Sequence, residues 1–186
     1  MTSGGILALD LATTVGWASA APGYRAVLPI SARHGVQEWA ANLALMRSGS
    51  HRIAPPGAGL PEFFHAFDLW LADMITVHQP DLLIFEAPII AGGKTSVETA
   101  RKLMGLAVLT ELTGYRRSIP KVREENVITV KKHWTGHGRA DKRMMIDAAR
   151  QRGFEPADDN AADALALADY AAAMIERKQR ARVQAA

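Results

Sequence analysis

The sequence predicts an α/β layer protein built on a mixed five-stranded sheet flanked by helices. Three observations carry that prediction. Gly4 to Leu11 is a short apolar run with Asp10 at its end, and two further strand-like stretches follow after short connections. Asp81-Leu82-Leu83-Ile84-Phe85-Glu86 is a continuous apolar run of the kind covered on both faces. The segments on either side of that run carry apolar residues at helical spacing. Strands first, then strands alternating with helices, describe a layered sheet rather than a bundle or a sandwich.

The first strand is expected over 4–11 and the second over Thr13 to Ala20, rich in small and β-branched residues. Pro22-Gly23 reads as a turn, and the weak alternation of Tyr24 to Ile30 predicts a third strand, completing an antiparallel meander. Val36 to Met46 suits a helical turn or two. Ser48-Gly49-Ser50 and Pro55-Pro56-Gly57-Ala58-Gly59 are expected to break the chain. From Leu60 to Val77, Phe63, Phe64, Phe67, Leu71, Met74 and Ile75 recur with helical period, and Pro80 ends the helix. After the 81–86 strand, Pro88 to Gly93 is a loop, and Ser96 to Thr113 is a helix with Gly114 just past its end. Ile119 to Arg123 supplies a shorter strand and Thr129 to Trp134 one or two helical turns. A loop over 135–139, a helix from Ala140 to Arg152 stopped by Gly153, and a final helix from Asn160 to Lys178 complete the chain.

Residues 1–186 suit a single domain, and a hydrophobic fraction of 48% suffices for a core. The absence of cysteine excludes disulfides and thiolate metal sites, so a metal would be held by oxygen or imidazole, which favours Mg²⁺ or Mn²⁺. No apolar run is long enough for a membrane span and no signal peptide is visible, so a cytoplasmic protein without membrane association is expected. The net charge of +3 is uneven: nine Lys/Arg face four Asp/Glu between Lys121 and Arg152, and four face one between Glu176 and Arg182. A basic block beside an acidic site suits a phosphate backbone, although a solvated surface would have the same composition.

Three elements end in acids: Asp10 after the first strand, Glu86 after the 81–86 strand, and Asp163 in the first turn of the last helix. Such an arrangement can hold two divalent ions for phosphodiester hydrolysis, with Asp10 as the bridging ligand. Taken singly, each acid has an ordinary alternative. An Asp after a strand is often a turn former, and Asp158, Asp159 or Asn160 suits a helix cap. Asn160 or Asp159 shares a helix face with Asp163.

These residues resemble the RuvC family of Holliday-junction resolvases, in the ribonuclease-H-like superfamily, over most of the chain and most weakly from Arg33 to Gly59. Ile6 to Ala18 is similar to the family's first strand, with its metal-binding aspartate at Asp10 and a following glycine at Gly16. Ile84-Phe85-Glu86 is similar to the second acidic motif, Val130 to Lys142 to the basic stretch, and Asn160 to Ala166 to the terminal motif. The resemblance implies a ribonuclease-H-like sheet, two Mg²⁺ ions (Mn²⁺ as substitute), and a homodimer that cuts four-way DNA junctions. It implies catalytic roles for Asp10, Glu86, Asn160, Asp163, Lys131 and Lys142. Metal binding falls to Asp10, Glu86, Asp159, Asn160 and Asp163, and DNA contacts to Lys131, Lys132, Arg139, Lys142 and Arg101.

The chain departs from the family at two places. Asn160 stands where the family usually has an acid, so a second ion is held more weakly unless Asp159, or less readily Asp158, compensates. Ala87, Pro88, Ile89 and Ile90 stand where an aromatic wedge is usual, leaving Ile89 or Ile90 as an apolar wedge that cannot stack. A same-fold nuclease for flaps, other branched DNA or structured RNA, and a non-catalytic DNA-binding relative, are the alternatives. Asp10 to Gly16 also resembles the first phosphate turn of actin-like ATPases, but those need a second such turn and none is present. His133 and His137 lie four apart around Gly136; a zinc site is not expected there, and either imidazole suits proton transfer. The four Trp and the Phe63/Phe64/Phe67 stripe suit core or dimer interface.

Overall fold

The computed structural model describes residues 4–27, 36–90 and 95–185. Strands β1 (Ile6–Asp10), β2 (Thr14–Ala20), β3 (Met46–Arg52), β4 (Leu82–Glu86) and β5 (Lys121–Glu125) form one sheet in the order β3-β2-β1-β4-β5. β1, β2 and β3 are antiparallel neighbours, whereas β4 runs parallel to both β1 and β5. The helices among the described residues are α1 (Val36–Leu43), α2 (Leu60–His78), α3 (Val97–Arg116), α4 (Val127–Thr135), α5 (Lys142–Gln151) and α6 (Asp159–Gln184).

Alternation along the strands decides which layer each side chain meets. Leu7 and Leu9 of β1 and Leu83 and Phe85 of β4 face the layer of α2 and α3, packing with Phe63, Phe67, Leu71, Ile75 and Leu106. Ile6, Ala8, Leu82 and Ile84 face the layer of α4, α5 and α6. Extending that alternation by one step puts Asp10 and Glu86 on the α6 face. The β1–β4 register pairs Leu9 with Phe85, so these two acids leave adjacent strand ends together.

The α6 face of β1 and β2 is made of small residues: Ala8, Ala18, Ala20 and Gly16. Gly16 is paired with Asp10 across the β1–β2 ladder, and a Cβ there would collide with the backbone carbonyl of Asn160 at the start of α6. α6 is correspondingly alanine-rich and buried on nearly all sides from Ala161 to Ala172, with Trp134, Met145 and Ala149 closing over its outer surface. Small side chains on both partners let helix and sheet approach closely, at the expense of apolar area buried per residue.

Several sequence expectations need correction. The third strand is Met46–Arg52, not Tyr24 to Ile30: Tyr24 to Val27 forms no strand, and 28–30 lie outside the described residues. Ser48-Gly49-Ser50 sits within β3 rather than breaking the chain, because the Trp17 indole lies over Gly49, its partner across the ladder, with a Cβ there only 3.0 Å from the ring nitrogen. An edge strand that is mostly half-exposed has no apolar alternation to advertise it. Gly114 lies inside α3, not past its end; it lets the helix pass Val122 of β5, and the chain leaves α3 through Ser118 at φ 55. β5 is displaced to 121–125, and α6 runs on to Gln184. Among the described residues no helix is long and apolar enough to cross a membrane.

Gly16→Ala should destabilise the protein by roughly 1–3 kcal/mol through overpacking of α6 against β2. Urea unfolding reads this directly, and an unchanged midpoint would remove Gly16 as the spacing element.

Candidate active site

Asp10, Glu86 and Asp163 come from β1, β4 and α6 and lie close enough to shift one another's proton affinity. Asp158 caps α6, its carboxylate accepting from the Ala161 amide at 2.9 Å, and this fixes where the helix starts. Asp163 then falls one turn in, on the side turned toward Asp10. Glu86 is 9% exposed, and both Glu86 Oε1 and Asp163 Oδ1 are buried without a hydrogen-bond partner among the described residues.

Burial and mutual repulsion set the proton affinities. Desolvation, then the Asp163 charge, push the Asp10 carboxyl up to about 7. Desolvation, then the charges of Asp10 and Asp163, push Glu86 up to about 9. Asp163 is raised as well, mainly by desolvation. The Lys131 ammonium opposes all three shifts. Carboxylates crowded together, two of them with an unpaired buried oxygen, are what an oxygen-ligated divalent cation would satisfy. Among the described residues no three acids or histidines stand in a preformed ligand cage, so the groups share a field without yet converging on one point.

The cations stand in four places. Lys131, half-buried on α4, donates to the Ala140 carbonyl at 3.2 Å and faces the carboxylates. Lys142, at the start of α5, forms an ion pair with Asp159, which holds the Asp159 carboxyl below its ordinary range. Two residues expected separately, one as a phosphate contact and one as a metal ligand, thus engage one another. Lys132 and Arg139 are exposed around the loop that follows α4. Arg101 is exposed on α3 beside the start of α2, in the opposite helix layer from that loop.

Asn160 is half-buried at the start of α6, its carbonyl over Gly16. Ile89 and Ile90 are exposed in the chain leaving β4, at 62% and 43%. His133 lies in α4, which continues to Thr135, while His137 follows the Gly136 cap, so the two do not share a helix. The His133 Nε2 is 2.9 Å from Asp169 Oδ2. The sequence reading overlooked Asp169, whose only signal was an acid in the middle of an otherwise apolar alanine-rich stretch.

No protein-family model matches the chain, and no curated protein matches it. Solved structures do. A Thermus thermophilus RuvC structure is similar at TM-score 0.61 and 16% identity, over 89% of this chain and 91% of that one. T. thermophilus RuvC in complex with Holliday junction substrate gives TM-score 0.64 and 17% identity, over 90% of this chain and 94% of that one. The crystal structure of a yeast mitochondrial Holliday junction resolvase gives TM-score 0.56 and 10% identity, over 88% of this chain and 75% of that one. At these identities the likeness establishes the fold: this chain has the ribonuclease-H-like fold of RuvC.

The raised carboxyls make the metal-free protein pH-sensitive. The folded state holds protons that the unfolded chain releases near pH 4, so this contribution to stability falls as pH rises from about 4 through about 7 and on past about 9. Metal-free protein should therefore melt lower at pH 8.5 than at pH 6. Mg²⁺ should restore more stability at pH 8.5, and Asp10→Asn should flatten both effects. Calorimetry at the two pH values checks this; a melting temperature indifferent to pH and Mg²⁺ in the wild type would contradict it.

Proposed function

We propose that this chain is a metal-dependent, structure-selective DNA endonuclease that resolves four-way junctions. The observation that carries the reading is the meeting of Asp10, Glu86 and Asp163 at one end of the sheet, with buried unpartnered carboxylate oxygens and Lys131 beside them. The structural likeness to RuvC, including a RuvC bound to a Holliday junction, supports the choice of substrate.

Asp10, Glu86 and Asp163, with Asn160 or Asp159 next to them, would hold two Mg²⁺ or Mn²⁺ ions. Bound there, such ions would supply Lewis acidity for phosphodiester hydrolysis. The chain's own residues do the rest. Asp10 interacts electrostatically with both Glu86 and Asp163 and would be one of the ligands. Lys131, anchored to the Ala140 carbonyl, places a positive charge where a phosphate gains negative charge. Lys132 and Arg139 extend that charge along the loop, where phosphate contacts would make affinity fall with salt. Lys142 is kept at the site by Asp159.

A symmetric junction needs two symmetric cuts, which a two-fold pair of chains supplies. α3 offers a surface for it: Val97, Met104, Val108 and Tyr115 recur at helical spacing and are exposed by 50–82%, with Leu112 beside them. An exposed apolar stripe of that length on one helix suits self-association better than solvent. The exposed Ile89 and Ile90 in place of an aromatic favour a second reading, in which the same site cuts flaps or other branches.

Cleavage of a labelled synthetic four-way junction in Mg²⁺, beside flap, duplex and single-strand controls, tests the assignment. Paired symmetric nicks confined to the junction are expected, with Asp10→Asn losing at least about 1000-fold in rate while still binding the junction. Cutting of flaps or single strands would move the function to a branch nuclease, and absence of cutting on every substrate would refute both. Val108→Glu should convert a dimer to a monomer in sedimentation velocity; a wild type already monomeric at micromolar concentration would exclude the α3 pairing.

A further inference from the structure

Outside the carboxylate site, Asp169, 1% exposed in the middle of α6, has partners on both carboxylate oxygens. Its Oδ1 accepts from the Tyr24 hydroxyl at 2.8 Å and from the Val27 amide at 2.7 Å. Its Oδ2 meets His133 Nε2 of α4 at 2.9 Å. The His133 ring also packs edge-on against Tyr170, with centroids 5.5 Å apart. The Val27 carbonyl accepts from Arg152 Nε at 3.1 Å, and that guanidinium lies over the Trp134 ring of α4 at 4.1 Å. One carboxylate thus joins α6, α4 and the segment after β2.

The sequence positions of these groups give the network its consequence. His133 lies two residues beyond Lys131 on α4, and Asp169 lies six beyond Asp163 on α6. α4 touches the active site through Lys131, and α6 through Asp163. A bond between His133 and Asp169 therefore fixes the distance and rotation between the helix that carries the site's ammonium and the helix that carries one of its carboxylates. Val130 and Trp134 pack α4 into the core and the Trp134 indole N–H donates to the Met145 carbonyl of α5 at 3.2 Å, while the His133–Asp169 pair adds a directed bond from α4 to α6.

We propose that His133 and Asp169 form a latch that positions Lys131 against the Asp10–Glu86–Asp163 cluster. His133 is a positioning residue in this scheme, acting through Lys131 and touching no reacting atom. The inference rests on the nuclease reading for its catalytic readout, and it has a second readout that does not.

The test compares His133→Leu, which removes the donor, with His133→Gln, which keeps a side-chain N–H. Under single-turnover conditions with saturating protein, His133→Leu should slow junction cleavage by about 10-fold or more, with junction affinity changed by less than about 3-fold. His133→Gln should recover most of that rate. In a Lys131→Ala background His133→Leu should cause no further loss, because its effect passes through the lysine. Equal losses in both backgrounds, or an unchanged rate in the wild-type background, would overturn the proposal. Amide hydrogen exchange supplies the independent arm. His133→Leu should speed exchange in α4 while leaving α2 as in the wild type, and unchanged α4 protection would overturn the latch whatever the activity. A wild type that cuts no substrate would refute the nuclease reading, and the exchange result alone would then decide the latch.

Discussion

The close approach of α6 to the small-residue face of β1 and β2 is the constraint on which the rest depends. Gly16 lies directly across the ladder from Asp10, and the Asn160 carbonyl occupies the space a side chain would fill. That contact sets the height of the last helix over the sheet. With the helix start fixed by the Asp158 cap, it also sets where Asp163 falls. A bulkier face would lift α6 and separate Asp163 from the two strand-end acids. The alanine-rich composition of the C-terminal third is the other half of the same fit.

Bringing three acids together in a desolvated corner opposes folding, and the raised proton affinities of Asp10 and Glu86 measure that opposition. Lys131 relieves part of it, and a divalent cation would relieve more. Holding the relieving charge in place is a separate problem from assembling the acids. Lys131 comes from a nine-residue helix held by the Trp134 indole bond to the Met145 carbonyl of α5, and the bond from His133 to Asp169 adds a directed tie from that helix to α6.

The two layers contribute differently. The α4–α5–α6 layer is close-packed with small residues and carries the charged groups. The α2–α3 layer buries Phe63, Phe67, Leu71 and Leu106 against the leucine face of β1 and β4, and leaves an apolar stripe of α3 outside. The sheet alternation that sorts Ala8 from Leu9 thus separates the face that carries the three acids from the face under the apolar stripe of α3.

Much was legible in the sequence, for definite reasons. β1 and β4 are continuous apolar runs and α2 and α6 carry helical apolar patterns strong enough to show themselves, and Asp10, Glu86 and Asp163 stand at ends of β1, β4 and α6. The acids were therefore identifiable as a set before any tertiary contact was known. β3 was not legible, because Met-Arg-Ser-Gly-Ser-His-Arg has no alternation and owes its strand to Trp17 lying over Gly49. Gly114 read as a helix stop, yet it serves the passage of α3 over Val122. The pairing of Lys142 with Asp159 and the convergence of Tyr24, Val27 and His133 on Asp169 were also invisible, since they join residues from 17 to 145 apart in the chain. The sequence by itself determined the layer class and which residues could do chemistry, because periodicity and residue type are local. Tertiary structure decided which of them meet, because that depends on the spacing between helix and sheet, and the small side chains that set the spacing carry no local signal of their partner.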